Sequence, residues 1–167
     1  MTKILLSLHV LAAIIAVGPV TVAASMFPPA ARRVVAAVPA GAGAGTDPAA
    51  AGGAGDVGTV RLLHRICRVY AGLGIAVPVL GFATAAAMGV LGDAWLITSI
   101  ALTAAAAGIL IAFVLPRQEE LLEQLTGREP VEHARTARLA MFTGLFNLLW
   151  ATVTVLMIVR PGSTTGA

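Results

Sequence analysis

Four long runs of this chain contain no Asp, Glu, Lys or Arg, and each is long enough to cross a bilayer as a helix. They cover about Ile4 to Phe27, Val69 to Leu91, Ala94 to Leu115 and Leu139 to Val159. A hydrocarbon core of roughly 30 Å needs about 20 helical residues. In lipid every backbone N–H and C=O must be satisfied internally, which leaves helices or closed barrels. Barrel strands would be shorter and would alternate in polarity, and these runs do neither. The sequence therefore predicts an all-α protein, a four-helix transmembrane bundle formed by residues 1–167 as a single domain. Composition agrees: 58% of the 167 residues are hydrophobic and 11% are charged, where a soluble globule carries about 25% charged residues. The first run follows Lys3 and holds an Ala-Ala-Ser ending at Ser25. It outlasts the roughly 7–15 residues of a signal h-region, so it is read as a retained span.

The basic residues set an expected orientation. Arg32, Arg33, Arg61, Arg65, Arg68, Arg117, Arg128, Arg135 and Arg138 fall on the side of the first and third loops, and only Lys3 and Arg160 fall on the other. Basic loops stay in the cytoplasm, so nine against two predicts a multi-pass protein of the cell (inner, cytoplasmic) membrane with both termini outside. This asymmetry accounts for all eleven basic residues and for the formal charge of +3, and leaves nothing for nucleic acid to explain. The single cysteine, Cys67, excludes an internal disulfide.

The loops read differently from one another. Residues 39–58, PAGAGAGTDPAAAGGAGDVG, offer no large apolar side chain and abundant glycine, and are expected to form a flexible first cytoplasmic loop. Gly53, Gly55 and Gly58 match a dinucleotide-binding spacing, but no strand precedes them. Arg61, His64, Arg65 and Arg68 recur at three- and four-residue steps, a basic stripe expected to anchor the helix and touch anionic lipid headgroups on the cytoplasmic side. In the third loop Leu121, Leu122 and Leu125 share a face, Gly127 is a helix stop and Pro130 suits a first helical turn. The third and fourth spans should thus project as a helical hairpin. Glu129 and His133 stand four apart there, too few ligands for zinc.

Inside the membrane His9 is the most informative residue, about 8 Å deep at 1.5 Å rise per residue. An intramembrane ionisable group is a functional hypothesis by default. Thr84, Thr98, Ser99, Thr152 and Thr154 are placed at comparable depth and could hydrogen-bond a neutral ring. Two readings stand: a structural bond across the bundle, or a ligand or proton site. Met88 lies at a similar depth and could pair with His9 on a haem, but His64 and His133 fall on the wrong side, so no cofactor or metal is assigned. Asn147 is expected to bond between helices. Gly81, Ala85 and Gly89 line one face of the second span and Ala104, Gly108 and Ala112 one face of the third, so these two spans are expected to pack together. Gly92 and Asp93 alone are expected to join them, with Trp95 half wet at the outer interface and Tyr70 at the inner one. Pro19 and Pro78 should kink their spans.

The stretches SLHVLAAIIAVGPVTVAASMF, RLLHRICRVYAGLG and DAWLITSIAL resemble an uncharacterised bacterial family of predicted integral membrane proteins, domain of unknown function 2269. The likeness covers most of the chain outside the Gly/Ala-rich loop and implies four spans with no assigned activity. LHVLAAIIAVG also resembles the first helix of copper-resistance membrane proteins and related haem or metal carriers, where only His9 matches. With no acidic partner for His9 in the spans, an enzyme is not expected. The favoured reading is a non-catalytic accessory or interaction subunit of a membrane assembly, with other membrane subunits as partners. The alternatives are a small-molecule transporter or ligand binder using the polar level around His9, and a haem or metal carrier.

Overall fold

The computed structural model describes residues 2–37, 48–127 and 133–162. All of its regular elements among these residues are helical: α1 (Thr2–Ala37), α2 (Pro48–Leu73), α3 (Ala76–Met88), α4 (Ala94–Ile109), a π-helical turn (Leu110–Val114), α5 (Leu115–Gly127) and α6 (His133–Val159). They make four candidate membrane spans of 35, 32, 34 and 26 residues. Only about 20 residues are needed to cross the apolar core, so the helices run on past it at the arginine-rich end. The turn at residues 89–93 and both ends of the described chain lie at the opposite end.

Helix α1 is the hub. Ala16, Val20, Ala23, Ala24, Phe27, Ala31 and Val34 are buried along it, a single stripe at helical spacing. The small members of that stripe let α2 approach closely. Helix α1 touches α2, α3, α5 and α6, whereas α4 lies chiefly against α6. The order across the bundle is therefore second span, first span, fourth span, third span. Pro19, Pro28 and Pro29 all sit inside α1, which continues through them as one helix.

The second span is interrupted. Its two helices meet at Gly74 and Ile75, one turn before Pro78. Proline has no N–H to offer the Gly74 carbonyl, which instead accepts the Val77 N–H at 3.1 Å. At the arginine-rich end α2 begins at Pro48. Residues 48–58 of the expected loop are thus helical, continuing toward the face where Val57 and Val60 meet the core; residues 39–47 lie outside the described residues.

The expected packing of the second span on the third forms only at its two ends, where Ala85 meets Trp95 and Leu96 and where α5 meets α2. Helix α3 lies on α1 instead. Gly81 is taken up by His9 of α1, and Ala85 is buried against Trp95 and Leu96 at the start of α4. Gly89 ends α3 with φ +71°, and its N–H is taken by the Ala85 and Ala86 carbonyls; a left-handed cap of this kind suits glycine. The connection is therefore five residues, 89–93, rather than two. Trp95 is buried rather than half wet. Its indole N–H donates to Asp93 Oδ2 at 2.9 Å, and the Arg160 guanidinium carbon sits 5.7 Å from its ring centroid. Tyr70 is half-buried against the core.

The π-turn decides which side of α5 faces inward. On α4 the inward residues are Leu96, Ser99, Ala106 and Leu110. Continued as α-helix, that face would run through Phe113, Val114, Arg117 and Leu121. A wide turn takes in one extra residue and can rotate the next helical segment by up to about 100°. The buried positions become Val114, Gln118, Leu121 and Leu125, and Arg117 is moved off the packed face. Helix α5 is described as far as Gly127; the expected stop after it and Pro130 fall on residues outside the described ones. Deleting Ile111, which is exposed, should close the wide turn and drive Arg117 inward. Uncompensated buried charge costs about 3–5 kcal/mol, so thermal unfolding in detergent should show a large loss. Ile111→Ala should remain near the parent, and equal stability of the deletion and the parent would refute this role for the turn.

Candidate functional site

His9 makes its hydrogen bond to the backbone of α3 and not to the hydroxyls expected at its level. Its ring lies half-buried against α3, where Nδ1–H donates to the Val77 carbonyl at 3.0 Å. That bond selects the Nδ1–H tautomer for a neutral ring. The ring occupies a notch that exists because residue 81 has no side chain: a Cβ there would come within 2.8 Å of His9 Cε1.

Each hydroxyl expected at this level bonds back to its own helix. Thr84 donates to the Leu80 carbonyl at 2.7 Å, Thr98 to Ala94 at 2.8 Å and Ser99 to Trp95 at 2.8 Å. Thr152 donates to Leu148 and Thr154 to Trp150, both at 2.9 Å. Such i−4 bonds satisfy a hydroxyl without a partner helix. His9, Thr84, Thr98, Ser99, Thr152 and Thr154 are therefore not brought together by hydrogen bonds.

A polar clasp forms at the other end. His64 Nδ1–H donates to Gln118 Oε1 at 3.3 Å, and Gln118 Nε2–H donates to Cys67 Sγ at 3.7 Å. One amide of α5 is thus held by two side chains three residues apart on α2. Gln118 is fully buried and His64 is 8% exposed. His64 therefore departs from the basic stripe, while Arg61, Arg65 and Arg68 remain exposed on the outer face of α2. Among those three, Arg68 reaches Glu119 of α5 at 3.9 Å, an exposed pair of small energetic value.

A second polar line joins α6 to α1. Asn147 Nδ2–H donates to Ser25 Oγ at 3.0 Å, and Ser25 donates to the Thr21 carbonyl at 2.7 Å. Arg32 Nε–H reaches Thr136 Oγ1 at 3.5 Å. Thr136 and Thr143 are buried on the same face as Asn147. Asn147 thus bonds between helices as expected, whereas the sequence reading does not single out Gln118, Thr136 or Thr143. The Thr136–Thr143–Asn147 spacing, two helical turns and then one, is a periodic signal that could find the two threonines.

Among the described residues no group of three His, Cys, Asp or Glu could hold a metal ion. Glu129 and the His133 side chain lie outside the described set. Geometry and composition together define an all-α, four-span integral membrane protein whose interior polar groups are paired largely with backbone and with one another. The chain matches no protein-family model, and no curated protein or solved structure is detectably similar to it.

The Gly81 notch gives a test of His9. Gly81→Ala should displace the ring and cost about 1 kcal/mol, since interhelical hydrogen bonds in membranes average ~0.6 kcal/mol and some repacking is added. In a His9→Ala background the same change should cost close to nothing. Thermal unfolding of the four proteins measures the coupling; additive effects would show that the notch does not hold the ring.

Proposed function

We propose that this chain is a non-catalytic accessory or interaction subunit of a membrane assembly, resident in the cell membrane with its arginine-rich end in the cytoplasm and both termini outside. The observation that supports it most is the outward face of α4. Ala101, Ala104, Ala105, Gly108 and Ala112 lie on one side of the third span and are all exposed. The opposite side, through Leu96, Ser99, Ala106 and Leu110, is buried where α4 meets α6. A Cβ added at Gly108 would touch nothing. Small residues at four-residue steps are how membrane helices let another backbone approach, and the fold leaves this ridge unspent. The use of His9 on a backbone carbonyl fits this reading.

Gly108→Leu should leave thermal stability within about 0.5 kcal/mol, as exposed substitutions do, yet abolish stoichiometric co-purification of membrane partners in mild detergent. A parent protein that purifies alone, or partners retained by Gly108→Leu, would count against the reading. For orientation, Ala50→Cys in a Cys67→Ala background should be shielded from an impermeant thiol reagent in intact cells, while Gly166→Cys should react. The reverse pattern would invert the proposed topology.

A further inference from the structure

Helices α5 and α6 belong to adjacent spans, yet they part at the arginine-rich end. The His64–Gln118–Cys67 clasp draws α5 toward α2, and α5 makes its contacts with α2 and α1. Between α5 and α6 this leaves a cleft of about 400 Å³ lined by Arg117, Glu120, Leu121, Ala134, Arg135 and Arg138. We propose that this cleft binds the phosphate of an anionic phospholipid in the leaflet at the arginine-rich end.

Charge is the first argument. Three guanidinium groups face one carboxylate in the cleft, and none of the four makes an ion pair within 4.0 Å among the described residues; the Arg68–Glu119 pair lies elsewhere. Guanidinium presents a planar fork of donors that matches phosphate oxygens.

Arg117 is held ready for such a ligand. Its guanidinium carbon lies 4.5 Å from the Phe142 ring centroid and 5.4 Å from that of Phe113. Those two rings stack at 4.8 Å and 9°. Cation–π contact fixes the group without using its N–H donors. Its Nη1 is buried with no hydrogen-bond partner, and a buried donor of this kind calls for an acceptor.

Depth and surroundings favour a lipid over a free phosphate. Counting about 20 residues from Ala94 and back from Val159 puts the hydrocarbon boundary near Val114 and Leu139. Arg117 and Arg138 then stand at headgroup level, with Arg135 one turn further out. On the membrane side of the cleft, Phe113, Met141, Leu145 and Leu148 are exposed apolar residues that continue the same helix faces. They offer an acyl chain a path that inorganic phosphate cannot use. The site is separate from the Arg61–Arg65–Arg68 stripe, which lies on the outer face of α2.

The test is native mass spectrometry of the full chain, extracted in mild detergent, delipidated and titrated with phosphatidylglycerol, phosphatidylcholine or inorganic phosphate. We expect one phosphatidylglycerol per chain, little retention of phosphatidylcholine and no competition from inorganic phosphate. Each arginine near the surface is worth about fivefold in binding, so R135Q/R138Q should weaken phosphatidylglycerol binding about 20-fold. K3Q/R33Q removes the same charge from exposed positions outside the cleft and should stay within about twofold of the parent if the site is local. Glu120→Gln should tighten binding, a gain that no folding defect can produce. Equal weakening by the two double variants, equal retention of phosphatidylcholine, displacement by inorganic phosphate, or weaker binding by Glu120→Gln would each overturn the proposal.

Discussion

A polar group in hydrocarbon must find its partner inside the protein, and almost everything in this structure depends on where each one finds it. The hydroxyls of Thr84, Thr98, Ser99, Thr152 and Thr154 turn to their own helix, so they leave the helices free to pack by shape alone. The few side chains that reach across do so at chosen places: His9 on Val77, Asn147 on Ser25, Gln118 on His64 and Cys67. Each such bond is weak in a membrane, yet each is specific in register. The apolar stripe of α1 supplies the contact area, and the polar crossings determine which neighbour sits at which height.

The π-turn and the clasp act on the same element. The turn takes Arg117 off the inward face and places Gln118 on it; the clasp then fastens Gln118 to α2. Neither would suffice alone. Without the turn, a guanidinium would meet α2, and without the clasp, only the exposed Arg68–Glu119 pair would link the rotated helix to its new neighbour by polar contact. Together they explain why a helix continuous with the third span ends up beside the second.

What could be read in advance was whatever depends on composition along the chain. The four spans and the cross-helix use of Asn147 each have a local signature: uncharged length and an amide in an apolar run. Pairing between helices has none. Gly81 and Gly108 look alike in sequence, yet one is a notch for an imidazole and the other lies open. Gln118 reads as part of a charged loop because the extra residue that turns it inward is a matter of backbone path. Residues 48–58 read as a loop because their Gly/Ala composition carries little helical signal, whereas the helix they extend is supported by its packing on α1.

The central position of α1 has a consequence for how the chain is made. Helices enter the bilayer in order of synthesis, and α1 arrives before the helices it packs against. Its neighbour α2 comes directly after it, but α6, which buries Thr136, Thr143 and Phe146, comes last. Helix α4 must likewise wait beside the nascent bundle until α6 gives it a surface to lie on. Assembly is therefore two-sided: an earlier half of first and second spans that can close at once, and a later half that forms only after α6 has been made. Until then the stripe of α1 meant for α6 faces lipid, where its alanines and valines are at no disadvantage.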